Sequence, residues 1–117
     1  MTILSIVLLV CNVLFLVAGQ LLWKTGVEKI GSLSTKNVVE IATSPYIWAG
    51  LILYAVATIL WLKVLSDVPL SLAYPLQSTA YVLGIVAAWI IFGESIPWTR
   101  WLGSGVLLIG VYLISMK

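Results

Sequence analysis

Hydrogen-bonding side chains collect in one otherwise apolar stretch, PLSLAYPLQSTAY, which runs from Pro69 to Tyr81. Four of them follow one another at spacings of three, one and three residues: Tyr74, Gln77, Ser78 and Tyr81. On a helix this spacing makes a single polar stripe. Hydroxyl and amide groups donate and accept hydrogen bonds without carrying charge, so the stripe offers hydrogen bonds but no charge recognition.

A helix that crosses a membrane does not turn such a stripe toward lipid, because polar groups there are costly. Pro75 lies inside the stripe and predicts a helix bend, since proline removes one backbone hydrogen bond. A bent helix with a polar stripe is a common way to build a substrate site near the middle of the membrane. The alternative is a polar seam that only holds helices together.

Polar residues also interrupt the first apolar block, which contains Asn12 and Gln20 and is followed by Lys24. Asn12 and Gly19 are seven residues apart, and Gln20 and Lys24 are four apart, so each pair shares a helix face. Asn12 and Gln20 either join helices through hydrogen bonds or line a polar path. Lys24 is either an anchor at the membrane surface or a ligand for an anion.

Lys63 lies at the end of the second apolar block, in the sequence ILWLKVLSD. Asp67 follows four residues later, so an ion pair within the helix is one interpretation. The other interpretation is that Lys63 holds a phosphate near the membrane surface. The candidate substrate-binding set is therefore Asn12, Gln20, Lys24, Lys63, Tyr74, Gln77, Ser78 and Tyr81.

The amino-acid composition indicates whether these residues lie in water or in a membrane. The chain has 117 residues, 62% of them hydrophobic and 9% charged, with a mean hydropathy of +1.18. Soluble domains are about 25% charged. A soluble fold of this length cannot hide so much apolar surface, so the composition predicts a membrane protein with a single domain over residues 1–117.

Four apolar blocks are each long enough to span the hydrocarbon core, which needs about 20 residues. The predicted helices cover about residues 2–23, 45–63, 69–92 and 97–116. None shows the alternation of a barrel strand, so we expect an all-α membrane protein of four transmembrane helices. Gly103 and Gly110 lie on one face of the last helix and permit close approach of a second helix, which predicts a dimer interface.

Basic residues are distributed unevenly between the two predicted membrane faces. One face has Lys24, Lys29, Lys36 and Arg100, and the other has Lys63 and Lys117. The excess favours the first and third loops in the cytoplasm.

Several function classes are excluded or disfavoured. The chain has no histidine, and its single Cys11 lies in an apolar run, so metal, thiol and serine–histidine chemistry is not expected. A net charge of +2 does not suggest nucleic acid, and no glycine-rich loop suggests ATP. We expect no enzyme activity, no cofactor and no metal.

The motifs AGQLLWK, LWLKVLSDVPLSLAYPL and FGE, in this order, resemble the drug/metabolite transporter superfamily over essentially the whole chain. The sequence looks most like the small four-helix subunits of the aminoarabinose–phosphoundecaprenol flippase, and its last helix resembles the dimerising helix of small multidrug resistance transporters. The latter carry a glutamate in helix one, where this chain has Leu16. That departure disfavours proton-coupled cation export, which requires a buried carboxylate.

The resemblance implies a multi-pass inner-membrane transporter that flips an amphiphile with an anionic head, such as a polyprenyl-phosphate-linked sugar. Membrane lipid surrounds it, and its expected partner is a second copy or a sister subunit. A small multidrug or metabolite exporter is one alternative. A membrane subunit that stabilises a partner without transporting anything is the other.

Overall fold

The computed structural model describes residues 2–31 and 36–116, and the described chain is almost entirely helical. It has six helices: α1 Ile3–Ile30, α2 Val38–Ala42, α3 Pro45–Asp67, α4 Leu70–Gln77, α5 Thr79–Ile91 and α6 Trp98–Ser115. The all-α prediction is confirmed. Lys117, which was counted in the charge distribution, lies outside the described residues.

Among the described residues, three helical segments are long and apolar enough to cross a membrane: α1, α3 and the combined segment Leu70–Ile91 formed by α4 and α5. α6 is shorter, with 18 residues, and begins with a polar turn that contains Arg100. The predicted third helix is therefore present, although an interruption at Ser78 divides it in two.

α1 continues beyond its predicted end at residue 23 and stops at Ile30. A helix need not end where the hydrocarbon does, and the Lys24–Glu28 ion pair stabilises the added turns. Thr2 caps the other end, because its hydroxyl accepts a hydrogen bond from the Ser5 N–H at 3.2 Å. Gly31 follows α1 with a φ of +109°, a conformation that only glycine adopts readily.

α1 and α3 are antiparallel and make the most extensive contact in the fold. Gly19 and Gly50 face each other so closely that a Cβ on Gly19 would lie 3.2 Å from the Gly50 carbonyl oxygen. Trp23 donates a hydrogen bond to the Ile47 carbonyl at 3.0 Å and stacks on Tyr54, with ring centroids 4.4 Å apart. Small residues and ring stacking join these two helices into one unit.

The remaining long helices pack around this α1–α3 unit. α4 and α5 pack on α1, and α6 approaches α4 and α5 only, among the described helices. A core of buried Leu9, Val64, Val68 and Ala73 packs the end of the bundle where α3 meets α4, which is called the closed end below. The opposite end, where α5 meets α6, has no comparable cluster among the described residues.

Candidate substrate cavity

A cavity of about 980 Å³ lies between α1, α4–α5 and the start of α6. It extends from the middle of the bundle toward the link between α5 and α6. Its polar and charged lining residues are Gln20, Tyr54, Tyr74, Gln77, Ser78, Tyr81, Glu94 and Arg100. The volume is at the upper end of the range for small-molecule sites, about 300–1,000 Å³.

The predicted polar stripe forms one wall of this cavity. Tyr74, Gln77, Ser78 and Tyr81 all line it, together with Pro75. Tyr74 and Tyr81 are largely exposed residues, with 61% and 67% of their surface accessible in the isolated chain. The stripe therefore holds polar groups toward a space large enough for a ligand.

The backbone around Pro75 explains how the stripe is presented. Pro75 has no N–H, and the chain tightens after it: the Ser78 N–H bonds to the Pro75 carbonyl at 3.0 Å. The hydroxyl of Ser78 donates to the same carbonyl, and the Thr79 hydroxyl donates to the Leu76 carbonyl at 2.9 Å. These hydroxyls add side-chain hydrogen bonds to the carbonyls of the tightened turn.

Gln20 reaches the cavity from α1, where its amide donates a hydrogen bond to the hydroxyl of Tyr54. Tyr54 was not predicted as a site residue. The available signal was a tyrosine in the middle of the apolar block from Ile41 to Leu62, where a hydroxyl needs a partner. Its ring is held by Trp23, so the hydroxyl has a fixed position on the cavity wall.

Asn12 lies behind the cavity wall and not on it. It is 1% exposed, and its amide donates to the Ala57 carbonyl of α3 at 2.7 Å. Its Oδ1 accepts a hydrogen bond from the Gln77 amide of α4 at 3.0 Å. Asn12 thus joins three helices, which corresponds to the interpretation of this residue as an interhelical connector.

Neither predicted lysine lines the cavity. Lys63 pairs with Asp67 at 3.2 Å, at the closed end of the bundle. Lys24 lies near the other end, where its ammonium is 3.5 Å from a Glu28 oxygen and 3.8 Å from a Glu94 oxygen. The antiparallel packing of α1 and α3 puts the two lysines at opposite ends of the bundle.

Glu94 and Arg100 are the two charged residues among those that line the cavity. The FGE sequence brings Glu94 there, because Gly93 takes a φ of +64° and both Phe92 and Glu94 donate to the Ala88 carbonyl. Glu94 was not among the residues predicted for the site. Nothing in the sequence indicated that the link folds back over the end of α5.

Gly103 and Gly110 lie away from the cavity on α6. A Cβ at either position would meet no atom within 4 Å, so this face of α6 has no neighbour within the described protomer. The predicted dimer interface stays a prediction.

Helical segments long and apolar enough to cross a membrane, arranged around a cavity whose apolar wall carries a stripe of polar side chains, define a multi-pass membrane protein with a ligand-sized site. The chain belongs to the EamA-like transporter family, which it matches over residues 1–116. It is a multi-pass protein of the inner membrane.

Three curated relatives carry names of the same flippase. The "probable 4-amino-4-deoxy-L-arabinose-phosphoundecaprenol flippase subunit ArnF" of Proteus mirabilis (strain HI4320) is 31% identical, over 92% of this chain and 89% of that protein. The corresponding ArnE subunit of Salmonella newport (strain SL254) is 32% identical over 92% and 94%. The ArnE subunit of Aeromonas salmonicida (strain A449) is 35% identical over 61% and 62%. No solved structure matches the chain significantly.

Proposed function

We propose that this chain is a transporter subunit that flips a lipid with a phosphate-containing polar head, such as a polyprenyl-phosphate-linked sugar. The observation that carries the proposal is the joint placement of the stripe residues and Gln20 around one cavity of about 980 Å³. Hydroxyl and amide groups on the wall replace water around the head as it crosses. The lipid tail stays in the bilayer, so the protein need only enclose the head.

The asymmetry of the bundle supports this proposal. The core around Val64 and Ala73 closes one end, while the cavity leads toward Glu94 and Arg100 at the other. A site that is closed at one end and open at the other is what alternating access requires. The distribution of basic residues favours the cytoplasm for the open end.

Arg100 is the group on the cavity lining best suited to a phosphate. It forms no ion pair with a carboxylate among residues 2–31 and 36–116, and guanidinium matches phosphate geometry. Lys24 and Lys63, in contrast, already have carboxylate partners. We therefore assign the first contact with the phosphate to Arg100, with Lys24 as a further positive charge near the same end.

We further propose that α6 completes a bundle of four spanning helices and mediates assembly with a second copy or a sister subunit. Its 18 residues are about 27 Å long at about 1.5 Å per residue, close to the hydrocarbon thickness of about 30 Å. The glycine-bearing face of α6 is open in the protomer, and the relatives are named as subunits.

A small multidrug or metabolite exporter remains the second candidate function. Leu16 lines the cavity where small multidrug resistance transporters carry a glutamate, which disfavours this function. Glu94 supplies a carboxylate on the same cavity, which favours it. Uptake of cationic dyes into proteoliposomes separates the two candidates, because the flippase function predicts none above empty liposomes.

The direct test is a flipping assay in proteoliposomes with a labelled polyprenyl-phosphate sugar. We expect the wild type to exceed empty liposomes, and Tyr81→Ala to lower the rate about tenfold, the effect of losing about 1.4 kcal/mol of binding. Tyr112→Ala is the matched control, since Tyr112 is 65% exposed on α6 and does not line the cavity.

Two results contradict the proposal. Wild-type protein that never exceeds empty liposomes excludes flipping of this lipid by the chain. Equal rates for wild type, Tyr81→Ala and Arg100→Gln show that the cavity is not the route. The second result is the one expected if the chain only stabilises a partner subunit.

A further inference from the structure

We propose that Trp23 is a positioning residue for the cavity. It holds the ring of Tyr54 so that the Tyr54 hydroxyl donates a hydrogen bond to an acceptor oxygen of the bound head. Tyr54 lines the cavity, whereas Trp23 does not and acts only through its neighbour. This inference rests on the proposed function and assigns a determinant of its binding site.

The contact between α1 and α3 repeats one arrangement on both helices. Each helix carries a glycine that is followed four residues later by an aromatic residue: Gly19 and Trp23 on α1, and Gly50 and Tyr54 on α3. Residues four apart lie on the same face of a helix. The two antiparallel helices therefore bring equivalent glycine–aromatic pairs to their contact.

The two pairs interlock, because each glycine faces the ring of the other helix. A Cβ on Gly19 would lie 2.6 Å from the Tyr54 ring, and a Cβ on Gly50 would lie 2.6 Å from the Trp23 indole. The two rings stack with their planes 15° apart. A larger residue at either glycine would push one ring out of the stack, so the glycines seat the rings as well as bring the helices together.

Trp23 is the anchored member of the stack. Its indole N–H donates to the Ile47 carbonyl on α3 at 3.0 Å, and its edge lies against Gly50. An indole that is bonded at its nitrogen and stacked on its face has a defined orientation. The orientation of the Tyr54 ring follows from it, because the two rings are in face-to-face contact.

The hydrogen bond from Gln20 determines what Tyr54 can offer to a ligand. The Gln20 amide donates to the Tyr54 oxygen, so this bond does not use the hydroxyl proton of Tyr54. In the part of the chain that the structure describes, that proton has no other acceptor. A hydroxyl that already accepts one hydrogen bond is polarised into a stronger donor. The geometry therefore directs an O–H donor at an acceptor oxygen in the cavity.

The test is the binding of a labelled polyprenyl-phosphate sugar to the purified chain in detergent, together with the melting temperature of each variant. Tyr54→Phe removes the hydroxyl and keeps the ring. Trp23→Met removes the indole and keeps apolar volume, whereas Trp23→Phe keeps a ring that can stack. Trp48→Met is the matched control, since Trp48 also donates its indole N–H to a backbone carbonyl, that of Ala42 at 2.7 Å, and does not line the cavity.

We expect Tyr54→Phe to weaken binding about tenfold, the effect of one lost hydrogen bond. Trp23→Met should weaken binding by a similar factor, because an unstacked Tyr54 ring no longer holds its hydroxyl in place. In the Tyr54→Phe background Trp23→Met should add less than about twofold, since the group that it positions is already absent. Trp23→Phe should restore most of the affinity, and Trp48→Met should leave it unchanged.

A merely structural role for Trp23 gives a different pattern. In that case Trp23→Met lowers the melting temperature and weakens binding by the same factor with and without the Tyr54 hydroxyl. That additive result overturns the proposal, and so does full affinity in a folded Trp23→Met variant. Gly50→Ala displaces the indole without removing any group, so the same comparison with Tyr54→Phe decides the question if Trp23→Met does not fold.

Failure of this inference is distinguishable from failure of the proposed function. Wild type that flips the labelled lipid, while the two substitutions act additively on binding, overturns the role of Trp23 and leaves the flippase function intact. Wild type that binds the lipid with the expected dependence on Tyr54, but does not flip it in proteoliposomes, overturns the flippase function and leaves the role of Trp23 intact. Wild type that does not bind the lipid overturns both.

Discussion

Gln77 on α4 donates a hydrogen bond from its amide to Oδ1 of Asn12 on α1, across 3.0 Å. Asn12 in turn donates to the Ala57 carbonyl on α3 at 2.7 Å. One buried amide therefore connects the rigid α1–α3 unit to the helix that carries the polar stripe. The bond lies directly behind the cavity wall, so the position of the stripe depends on it.

The first prediction concerns this connection. Asn12→Ala should lower the free energy of unfolding by about 1–2 kcal/mol, because two buried hydrogen bonds are lost. A double-mutant cycle with Gln77→Ala should give a coupling energy of about 0.6–1.7 kcal/mol. The measurement is unfolding in detergent micelles. Additive effects of the two substitutions would show that the bond contributes nothing.

The second prediction concerns the contact between α1 and α3. A Cβ at Gly19 would lie 2.6 Å from the ring of Tyr54, which Trp23 holds in place, so a shift of the helices is required. Gly19→Ala should destabilise the protein by about 1–3 kcal/mol. Gly84→Ala is the control, since a Cβ there meets nothing within 4 Å. Equal decreases in melting temperature for the two variants would contradict this explanation.

The third prediction concerns the interruption after Pro75. Pro75→Ala restores a backbone N–H, and the helix from Leu70 to Ile91 can then become continuous. We expect melting temperature to stay the same or rise, while the flipping rate falls about tenfold as the stripe turns away from the cavity. Pro69→Ala, at the N-cap of α4 and off the cavity wall, should leave the rate unchanged. Full activity in Pro75→Ala would show that the interruption is not needed.

The fourth prediction concerns assembly through α6. Gly103→Leu with Gly110→Leu should reduce dimer formation at least tenfold, since both positions lie on the open face and a larger side chain separates the helices. Gly105→Leu should leave dimer formation unchanged: a Cβ there also meets nothing within 4 Å, but Gly105 lies on the opposite side of the helix from Gly103. Site-specific crosslinking and light scattering in detergent measure dimer formation in each variant. Retained dimers in the double variant would exclude this interface.

The spacing of polar residues was the most informative part of the sequence. Residues 74, 77, 78 and 81 were expected on one helix face, and all four line one cavity. Helical periodicity is a local property, so a single sequence contains it. The same spacing argument put Asn12 and Gly19 on one face, and both are buried. Helical spacing could not indicate that Asn12 lies behind the cavity wall and does not line the cavity.

Charged residues were less predictable, because their partners come from other parts of the chain. Lys63 and Asp67 are four residues apart, and their ion pair was one of the two interpretations of the sequence. The contact between Lys24 and Glu94 joins α1 to a link seventy residues later, and no local pattern indicates it. The role of Arg100 likewise depends on where α6 begins relative to α4 and α5.

Sequence alone determined that this protein is helical, lies in the membrane and carries an uncharged polar stripe, because hydropathy and periodicity act over neighbouring residues. Tertiary structure decided that Tyr54, Glu94 and Arg100 join the stripe around one cavity. It also decided that the buried cluster around Val64 lies where α3 meets α4, at the end of the bundle away from Glu94 and Arg100. These outcomes depend on which helices pack together and on the register in which they pack. Close contacts such as Gly19 with Gly50 set that register, and they exist only between segments distant in the chain.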